Sequence, residues 1–380
     1  MDKQYSIFFR GALTAIFLSS ILLLPNCQRA VPANLEQAVM AVKQAHAPDR
    51  RLELFDIALE RVGGRLVVTG EVGRPEFKAA LLDTLAAAAS RLEIIDSVRV
   101  LPAAELGSQV YGIISVSVAN MRRVPSASAE LINQTLLGTV VRLLKRENDY
   151  YFVQNWDRYL GWLSSSFVTE VDSAGAAAWQ AGPRVVCRAN YGLVRDAPAF
   201  SGTILVDLVP GAVLVRLGRT GDWLQVVLPD GRQGFVRAEL MRAEDGRLPM
   251  TIEQVLATAR DYLGVPYLWG GTSTKGFDCS GFTQIVYRMN NYSLPRDASQ
   301  QVQLGRPVAL EDDFAHLLPG DLLFFGPRPE RITHVALYLG SKRYIHSSGQ
   351  VHIASLDPAD ELYNDYRYTT LRTARRVQPQ

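Results

Sequence analysis

The chain has 380 residues, of which 48% are hydrophobic and 21% charged, a composition that predicts globular domains with buried cores. Its 40 basic and 38 acidic side chains leave a formal net charge of +2, so there is no general attraction for nucleic acid or another anionic polymer. The three cysteines, Cys27, Cys187 and Cys279, are too few and too scattered for a disulfide framework or a cysteine-ligated zinc site. No metal or cofactor is expected, and each cysteine needs its own explanation.

Residues 1–27 have the pattern of an export signal. Two basic residues flank the start of an apolar run over residues 11–24, which is shorter than the roughly 18 residues of a membrane span. The run leads into Leu24-Pro25-Asn26-Cys27, which resembles the lipobox of bacterial lipoproteins, although Asn26 replaces the usual small residue. The resemblance implies lipidation of Cys27 and, from Gln28, a place on the periplasmic face of the outer membrane. A plain signal peptide and an uncleaved anchor are the alternatives.

Residues 31–105 predict a small α/β domain. Apolar periodicity indicates helices over 35–42 and 75–94, and β-branched runs indicate strands over 66–72 and 98–100. The order of Gly-x-Leu-Val-Val-x-Gly, a helix and Val-Arg-Val looks like the BON-type domain of bacterial envelope proteins. Such a domain is expected to act as a spacer or packing unit without chemistry of its own.

An internal repeat follows, because two segments match without a gap at one fixed spacing. The matched positions are Arg122-x-x-Pro125 with Arg195-x-x-Pro198, Gly138 with Gly211, Asp149-Tyr150 with Asp222-Trp223, and Gly161-Trp162 with Gly234-Phe235. Short β-branched runs broken by turn residues predict a small β-barrel in each copy. The pattern resembles the bacterial Src-homology-3 (SH3) domain, and we place the two barrels at residues 110–172 and 183–245.

Barrels of this kind use surface aromatic side chains to bind ligands, although most aromatics in so small a barrel pack its core. The candidates are Tyr150, Tyr151, Trp156, Tyr159 and Trp223. Cys187 lies in an apolar strand-like run, which predicts a buried small hydrophobic residue and not a reactive thiol.

Cys279 is predicted to be a nucleophile. A helix over 251–263 is followed by a glycine-rich loop, and Asp278-Cys279-Ser280 then opens a second helix. A cysteine in the first turn of a helix lies near unpaired backbone N–H groups and the positive end of the helix dipole, which favour the thiolate. The same N–H groups can stabilise the oxyanion of a tetrahedral intermediate.

His334 and His346 are predicted to assist that thiol. They lie on two strand-like runs joined at Gly340-Ser341-Lys342, and a three-residue loop places both on one face of the hairpin. One imidazole can then serve as the base while the other orients it. His316 and His352 are expected to be surface or packing residues.

Five motifs over residues 250–376 resemble the NlpC/P60 cell-wall cysteine peptidases, which have a papain-like fold. They are Tyr267-x-Trp269-Gly270-Gly271, Asp278-Cys279-Ser280-Gly281-Phe282, Pro295-Arg296-x-x-x-x-Gln301, Leu318-Pro319-Gly320-Asp321-Leu322, and His334-Val335-x-x-Tyr338-Leu339-Gly340 followed by His346. The fold class expected for the whole chain is therefore α+β and multidomain, with a papain-like catalytic domain after two SH3-type barrels and the small N-terminal domain. The resemblance implies a Cys279-His334-His346 triad.

The segment from His346 to Pro358, joined to two barrels, looks more closely like the γ-D-glutamyl-L-diamino acid endopeptidases. In that group the substrate is a short peptidoglycan stem peptide with a free N-terminal L-Ala. The resemblance implies that Tyr267, Asp278, Ser280, Ser299 and Tyr159 line the substrate site. An amidase or acyltransferase on the same scaffold, and a non-catalytic wall-binding lipoprotein, are the alternatives; the complete Cys-His-His set argues against the second.

Overall fold

The computed structural model describes residues 30–89, 91–244, 250–311 and 313–377, so the predicted export signal with Cys27 lies outside the described residues. Within these ranges, no helix has both the length and the apolar character that a membrane crossing requires. The described chain forms an N-terminal unit, two seven-stranded sheets and a C-terminal unit built on a six-stranded sheet.

The N-terminal unit is a three-stranded sheet with two helices packed against each other. Its elements are α1 (Ala33–His46), β1 (Phe55–Val62), β2 (Arg65–Val72), α2 (Pro75–Ala88) and β3 (Glu93–Val100). β2 pairs antiparallel with β1 and parallel with β3, so α2 is the crossover helix of a βαβ unit.

One boundary predicted for this unit is wrong. The helix expected over 75–94 ends at Ala88, and Ile94 belongs to β3. The parallel register explains the difference, because Glu93 must already lie beside Arg65 for β3 to pair along the whole of β2. Strand β1 was not predicted from the sequence. The BON-type identity of this unit stays a prediction.

The first seven-stranded sheet is antiparallel. Its strands are β4 (Tyr111–Ile114), β5 (Val118–Arg122), β6 (Leu131–Leu136), β7 (Val140–Glu147), β8 (Tyr150–Gln154), β9 (Leu160–Ser164) and β10 (Val168–Val171), in the spatial order β10-β4-β7-β8-β9-β5-β6. Helix α3 (Ser173–Ala181) then leads to the second sheet, and its Trp179 donates to the Gly138 carbonyl at 2.9 Å. This buried hydrogen bond fixes the linker helix on the first sheet.

The second sheet repeats the first. Its strands are β11 (Arg184–Cys187), β12 (Gly192–Arg195), β13 (Ile204–Leu208), β14 (Val213–Thr220), β15 (Trp223–Val227), β16 (Gln233–Arg237) and β17 (Met241–Ala243). Their order, β13-β12-β16-β15-β14-β11-β17, is that of the first sheet read from the other edge. Six of the seven pairs of equivalent strands begin 73 residues apart, as β4 and β11 do (184 − 111), and β5 and β12 begin 74 apart, so the repeat is structural as well as sequential.

The aromatic side chains proposed as ligand contacts mostly pack the protein itself. Tyr151 is buried and donates to Glu170, and Trp223 is buried beside Phe200. Trp156 is covered by the Arg288 guanidinium, 4.1 Å from the ring centroid. Cys187 is buried in the core of the second sheet, and burial raises the pKa of its thiol to about 11. This agrees with an unreactive structural cysteine.

The C-terminal unit contains the remaining elements. They are α4 (Ile252–Asp261), β18 (Thr272–Ser273), β19 (Gly276–Phe277), α5 (Cys279–Met289), α6 (Ala298–Gln301), β20 (Arg306–Val308), β21 (Leu322–Phe325), β22 (His334–Gly340), β23 (Arg343–Ser348), β24 (Gln350–Ser355), α7 (Asp365–Thr370) and β25 (Leu371–Arg376). The six-stranded sheet has the order β20-β25-β21-β22-β23-β24. α5 packs on one face through Phe282 and Ile285, and each such buried side chain contributes about 1.5–3 kcal/mol.

Helix α4 is shorter than the sequence pattern predicts. Thr251 caps it, as expected, by accepting from the Gln254 N–H at 3.3 Å. The helix ends at Asp261, and Leu263 is exposed, not packed on the buried face. The chain reverses here because Gly264 adopts a φ of 82° and its N–H donates to the Val351 carbonyl.

Candidate active site

A cleft of about 780 Å³ lies where the N-terminal unit, the first seven-stranded sheet and the C-terminal unit meet. It brings together seven of the eight residues predicted for catalysis and substrate binding, namely Cys279, His334, Tyr267, Asp278, Ser280, Ser299 and Tyr159. The eighth, His346, lies directly behind His334. Residues 48–51 of the N-terminal unit also line the cleft, a contribution that the sequence analysis did not foresee.

Cys279 is the first residue of α5. The Asp278 carboxylate caps the helix by accepting from the Gly281 N–H at 2.7 Å and also accepts from the Gly270 N–H at 3.0 Å. The glycine-rich loop runs so close to the helix that a Cβ on Gly281 would lie 2.0 Å from the Gly271 carbonyl oxygen. Backbone N–H groups of Ser280 and Val335 donate toward the Cys279 sulfur, which places the thiol beside the start of β22.

The ionisation of this thiol differs from the sequence-based expectation. We predicted a pKa lowered toward neutrality by the helix terminus, but burial, followed by the Asp278 charge, raises the pKa of Cys279 to about 12. The two N–H groups and Arg296 favour the thiolate without overcoming this loss of solvation. A thiol with a raised pKa needs a base before it can act as a nucleophile.

His334 and His346 lie on the same face of the β22–β23 hairpin, as predicted. The His334 Nε2 and the His346 Nδ1 are 2.7 Å apart. The turn contains only Ser341 and Lys342, both with positive φ, and a bulge between Tyr338 and Gly340 supplies the extra residue. Without that bulge the register would shift by one residue and the two imidazoles would point to opposite faces.

His352 contacts His346 at this site. We expected only a surface or packing role for His352 and did not predict this contact. His352 lies directly opposite His346 in the β23–β24 pair, and their Nε2 atoms are 3.1 Å apart. The His352 Nδ1 is 3.0 Å from the Gln350 carbonyl oxygen. The sequence did hold a signal, because the tight reversal at Gly349 fixes which residue faces His346. His316, by contrast, is exposed and paired with Glu311.

Both buried histidines are held neutral. Burial, followed by Arg367 and then by His346 and His352, lowers the pKa of His334 well below 6.5. Burial, His352 and Arg367 do the same for the pKa of His346. The Arg367 guanidinium stacks 5.7 Å from the Phe325 ring centroid, and that ring in turn lies 5.7 Å from the His334 ring. A neutral imidazole beside a neutral thiol is the state in which His334 can accept a proton.

Arg296 is the buried partner of two predicted substrate-binding residues. Its guanidinium donates to both oxygens of Asp278, at 3.1 and 2.5 Å, and to the Ser280 hydroxyl at 3.0 Å. It also donates to the Asn133 side chain of β6 at 3.0 Å, so the first sheet directly supports the segment that carries Arg296. Asp278 and Ser280 are therefore rigidly placed, with the Arg296 charge balancing the Asp278 carboxylate.

Tyr159, Ser299 and Arg51 form the far wall of the cleft. The Tyr159 hydroxyl and the Arg51 guanidinium both donate to the same oxygen of Asp297, at 3.0 and 2.7 Å. Arg51 also donates to the Ser299 hydroxyl at 2.9 Å, and the Asp49 carboxylate holds it from behind. Three separate parts of the chain thus meet in one polar cluster that lines the cleft.

Comparisons with known proteins agree with this architecture. Residues 264–376 match the NlpC/P60 family, and residues 121–167 match the bacterial dipeptidyl-peptidase SH3 domain. A protein of Lysinibacillus sphaericus named dipeptidyl-peptidase 6 is 31% identical over 271 residues, which cover 68% of this chain and 96% of that protein. A γ-D-glutamyl-L-lysine dipeptidyl-peptidase of Bacillus cereus is 36% identical over 231 residues, covering 57% of this chain and 67% of the relative.

Solved structures support the fold. An NlpC/P60 protein of Bacillus cereus aligns with a TM-score of 0.62 at 24% identity, covering 71% of this chain and all of that one. An NlpC/P60 endopeptidase of Photobacterium damselae aligns with a TM-score of 0.56 at 12% identity, covering 92% of this chain and 91% of the other. With a thiol and an imidazole facing one cleft, the protein is a cysteine peptidase. More specifically, the chain belongs to the NlpC/P60 family and carries an SH3 domain before the catalytic domain.

Proposed function

We propose that the protein hydrolyses the γ-D-glutamyl-L-diamino acid bond of short peptidoglycan stem peptides that have a free N-terminal L-Ala. The observation that carries this proposal is the cleft that Cys279 and His334 line together with the polar cluster of Tyr159, Asp297 and Arg51. Such a cluster of hydroxyl and charged groups suits the polar terminus of a short peptide. The name of the Bacillus cereus relative, a γ-D-glutamyl-L-lysine dipeptidyl-peptidase, points to the same bond.

The proposed mechanism uses Cys279 as the nucleophile, with His334 and His346 completing the triad. The His334 imidazole takes the thiol proton as the sulfur attacks the γ-carbonyl carbon, and the Ser280 and Val335 N–H groups face the reacting atoms. The tetrahedral intermediate collapses to a thioester, and the imidazolium gives its proton to the departing amine. Water then attacks the thioester with His334 as base, releasing L-Ala-γ-D-Glu and the free thiol.

The free amine is proposed to bind at the far wall. Ser299 and Tyr159 supply hydroxyl groups there, and Tyr267, Asp278 and Ser280 line the part of the cleft beside Cys279. An ammonium ion can donate to these hydroxyl oxygens, whereas the Asp278 carboxylate already accepts from Gly270, Ser280, Gly281 and Arg296 and contributes its charge. An acetyl group on that nitrogen would remove the charge and also need space that the wall occupies.

Product analysis of the chain lacking residues 1–27 tests the proposal. The substrates are L-Ala-γ-D-Glu-diaminopimelate and the same peptide with an acetylated N-terminus, and Cys279→Ala is the control. We expect free diaminopimelate from the first peptide only, and none with the variant. Cleavage of both peptides would reject the amine site but keep the peptidase. Cleavage of neither would reject the proposed substrate.

We further propose that the protein is exported and anchored by a lipid on Cys27 at the periplasmic face of the outer membrane. The support is the apolar run followed by the lipobox-like sequence ending at Cys27. Wild-type protein should incorporate labelled palmitate and sediment with membranes, whereas Cys27→Ala should do neither. Labelling that persists in the variant would reject the anchor.

A further inference from the structure

Three imidazoles form a continuous hydrogen-bonded row that ends at a backbone carbonyl. The His334 Nε2 lies 2.7 Å from the His346 Nδ1, the His346 Nε2 lies 3.1 Å from the His352 Nε2, and the His352 Nδ1 lies 3.0 Å from the Gln350 oxygen. The proposed triad uses only the first two of these rings. The third is half-buried and lies on the neighbouring strand β24.

The carbonyl at the end of the row fixes the direction of every bond in it. A carbonyl oxygen only accepts, so the His352 Nδ1 must carry a hydrogen. A neutral imidazole has one N–H, so the His352 Nε2 accepts from the His346 Nε2–H. The His346 Nδ1 is then an acceptor, and it receives the His334 Nε2–H. The His334 Nδ1 is left with its lone pair, free to take a proton from Cys279.

We propose that His352 is a positioning residue which, acting through His346, holds His334 in the tautomer that can deprotonate Cys279. The inference rests on the catalytic roles proposed above. The same geometry also determines which substitutions at position 352 would change the tautomer of His334. A group at position 352 that only donates reverses the row: the His346 Nδ1–H then donates to the His334 Nε2, and the hydrogen of His334 moves to Nδ1, where it blocks the base.

Three variants distinguish this role from a packing role. His352→Gln keeps an acceptor for the His346 N–H, His352→Ala removes it, and His352→Arg presents donors only. With the free-amine tripeptide, we expect kcat close to wild type for Gln and about five- to tenfold lower for Ala, the rate equivalent of one neutral hydrogen bond. We expect a larger loss for Arg, with KM unchanged in all three. His316→Gln, at an exposed histidine away from the row, is the matched control.

A side chain that only fills space would give a different ranking. Equal kcat in all three variants, or a loss that follows side-chain size and not acceptor capacity, would overturn the proposal. Thermal unfolding of each variant identifies losses that come from misfolding. If Gln and Arg unfold alike and still differ in kcat, the difference lies in the hydrogen-bond direction.

Nitrogen-15 NMR of the imidazoles in the mature chain tests the tautomers without reference to activity. The wild type should show the His334 hydrogen on Nε2, and His352→Arg should move it to Nδ1. Hydrogen on Nδ1 of His334 in the wild type, or no change in the Arg variant, would overturn the inference. This readout still decides the point if the wild type cleaves no stem peptide, an outcome that would reject only the proposed function.

Discussion

Arg367 is a single residue that affects the proton affinity of the whole histidine pair. Its guanidinium lies against Phe325 and opposes protonation of both His334 and His346, although burial is the larger cause for each. The charged or titratable groups acting on His334 are Arg367, His346 and His352. Because a lowered pKa keeps the base neutral in acid, the structure makes a directional prediction about pH.

We expect kcat/KM of the wild type to stay level as the pH falls past 6.5, with the acid limb appearing only well below that value. Arg367→Gln removes a positive charge, so the pKa of His334 should rise and the acid limb should move to higher pH. The measurement is kcat/KM for the tripeptide between pH 4 and 9. Arg372→Gln, whose guanidinium bonds only backbone carbonyls, serves as the control. If the acid limb of the kcat/KM profile lay at the same pH in both variants, Arg367 would not control the pKa of His334.

The sequence predicted the position of Cys279 at the start of a helix but not the raised pKa of its thiol. The position at the first turn of a helix follows from Asp278 and the glycine-rich loop, both of which are local features. The raised pKa depends on how deeply the folded chain buries the sulfur, and no local pattern records that burial. The same holds for Arg296, whose partner Asn133 lies far away in sequence on β6.

At the level of elements, the alternating side chains of the β22–β23 hairpin bring His334 and His346 into contact on one face. The sequence predicted a three-residue loop, and the structure reaches the equivalent register with a two-residue turn and a bulge. The prediction succeeded because only this register keeps Ile345 of β23 on the same face as Leu337, against α5. The contact of His352 with His346 was not predicted, although the same register argument extends from β23 to β24.

At the level of the whole molecule, the N-terminal unit is part of the cleft and not only a spacer. Its loop is fixed on the first sheet, where the Leu160 N–H donates to the Arg51 carbonyl at 2.7 Å. It is fixed on the C-terminal unit by Arg51 with Asp297 and by Gln300 with Asp49, both at 2.7 Å. Such contacts between units could not be predicted from the sequence, because they depend on docking and not on local propensity.

Removing Arg51 should therefore loosen the polar cluster at the far wall of the cleft. We expect Arg51→Ala to raise KM for the tripeptide by about three- to tenfold, as for a partly exposed charged contact, with little change in kcat because Cys279 and His334 are untouched. Steady-state kinetics of the full mature chain give both constants. Arg65→Ala, which breaks an exposed ion pair with Glu93 in the same unit, should behave as wild type. An unchanged KM for Arg51→Ala would show that this loop has no part in substrate binding.

The central claim is that Cys279 attacks the γ-glutamyl carbonyl of a peptide whose free amine is bound at the far wall. The most direct measurement is labelling with L-Ala-γ-D-Glu in which a chloromethyl ketone replaces the scissile amide, followed by peptide mapping. The structure contains two free cysteines in its described part, Cys187 and Cys279. The account predicts one label, on Cys279, that the N-acetylated reagent does not produce. Labelling of Cys187 instead, or no labelling by a protein that still hydrolyses the peptide, would contradict it.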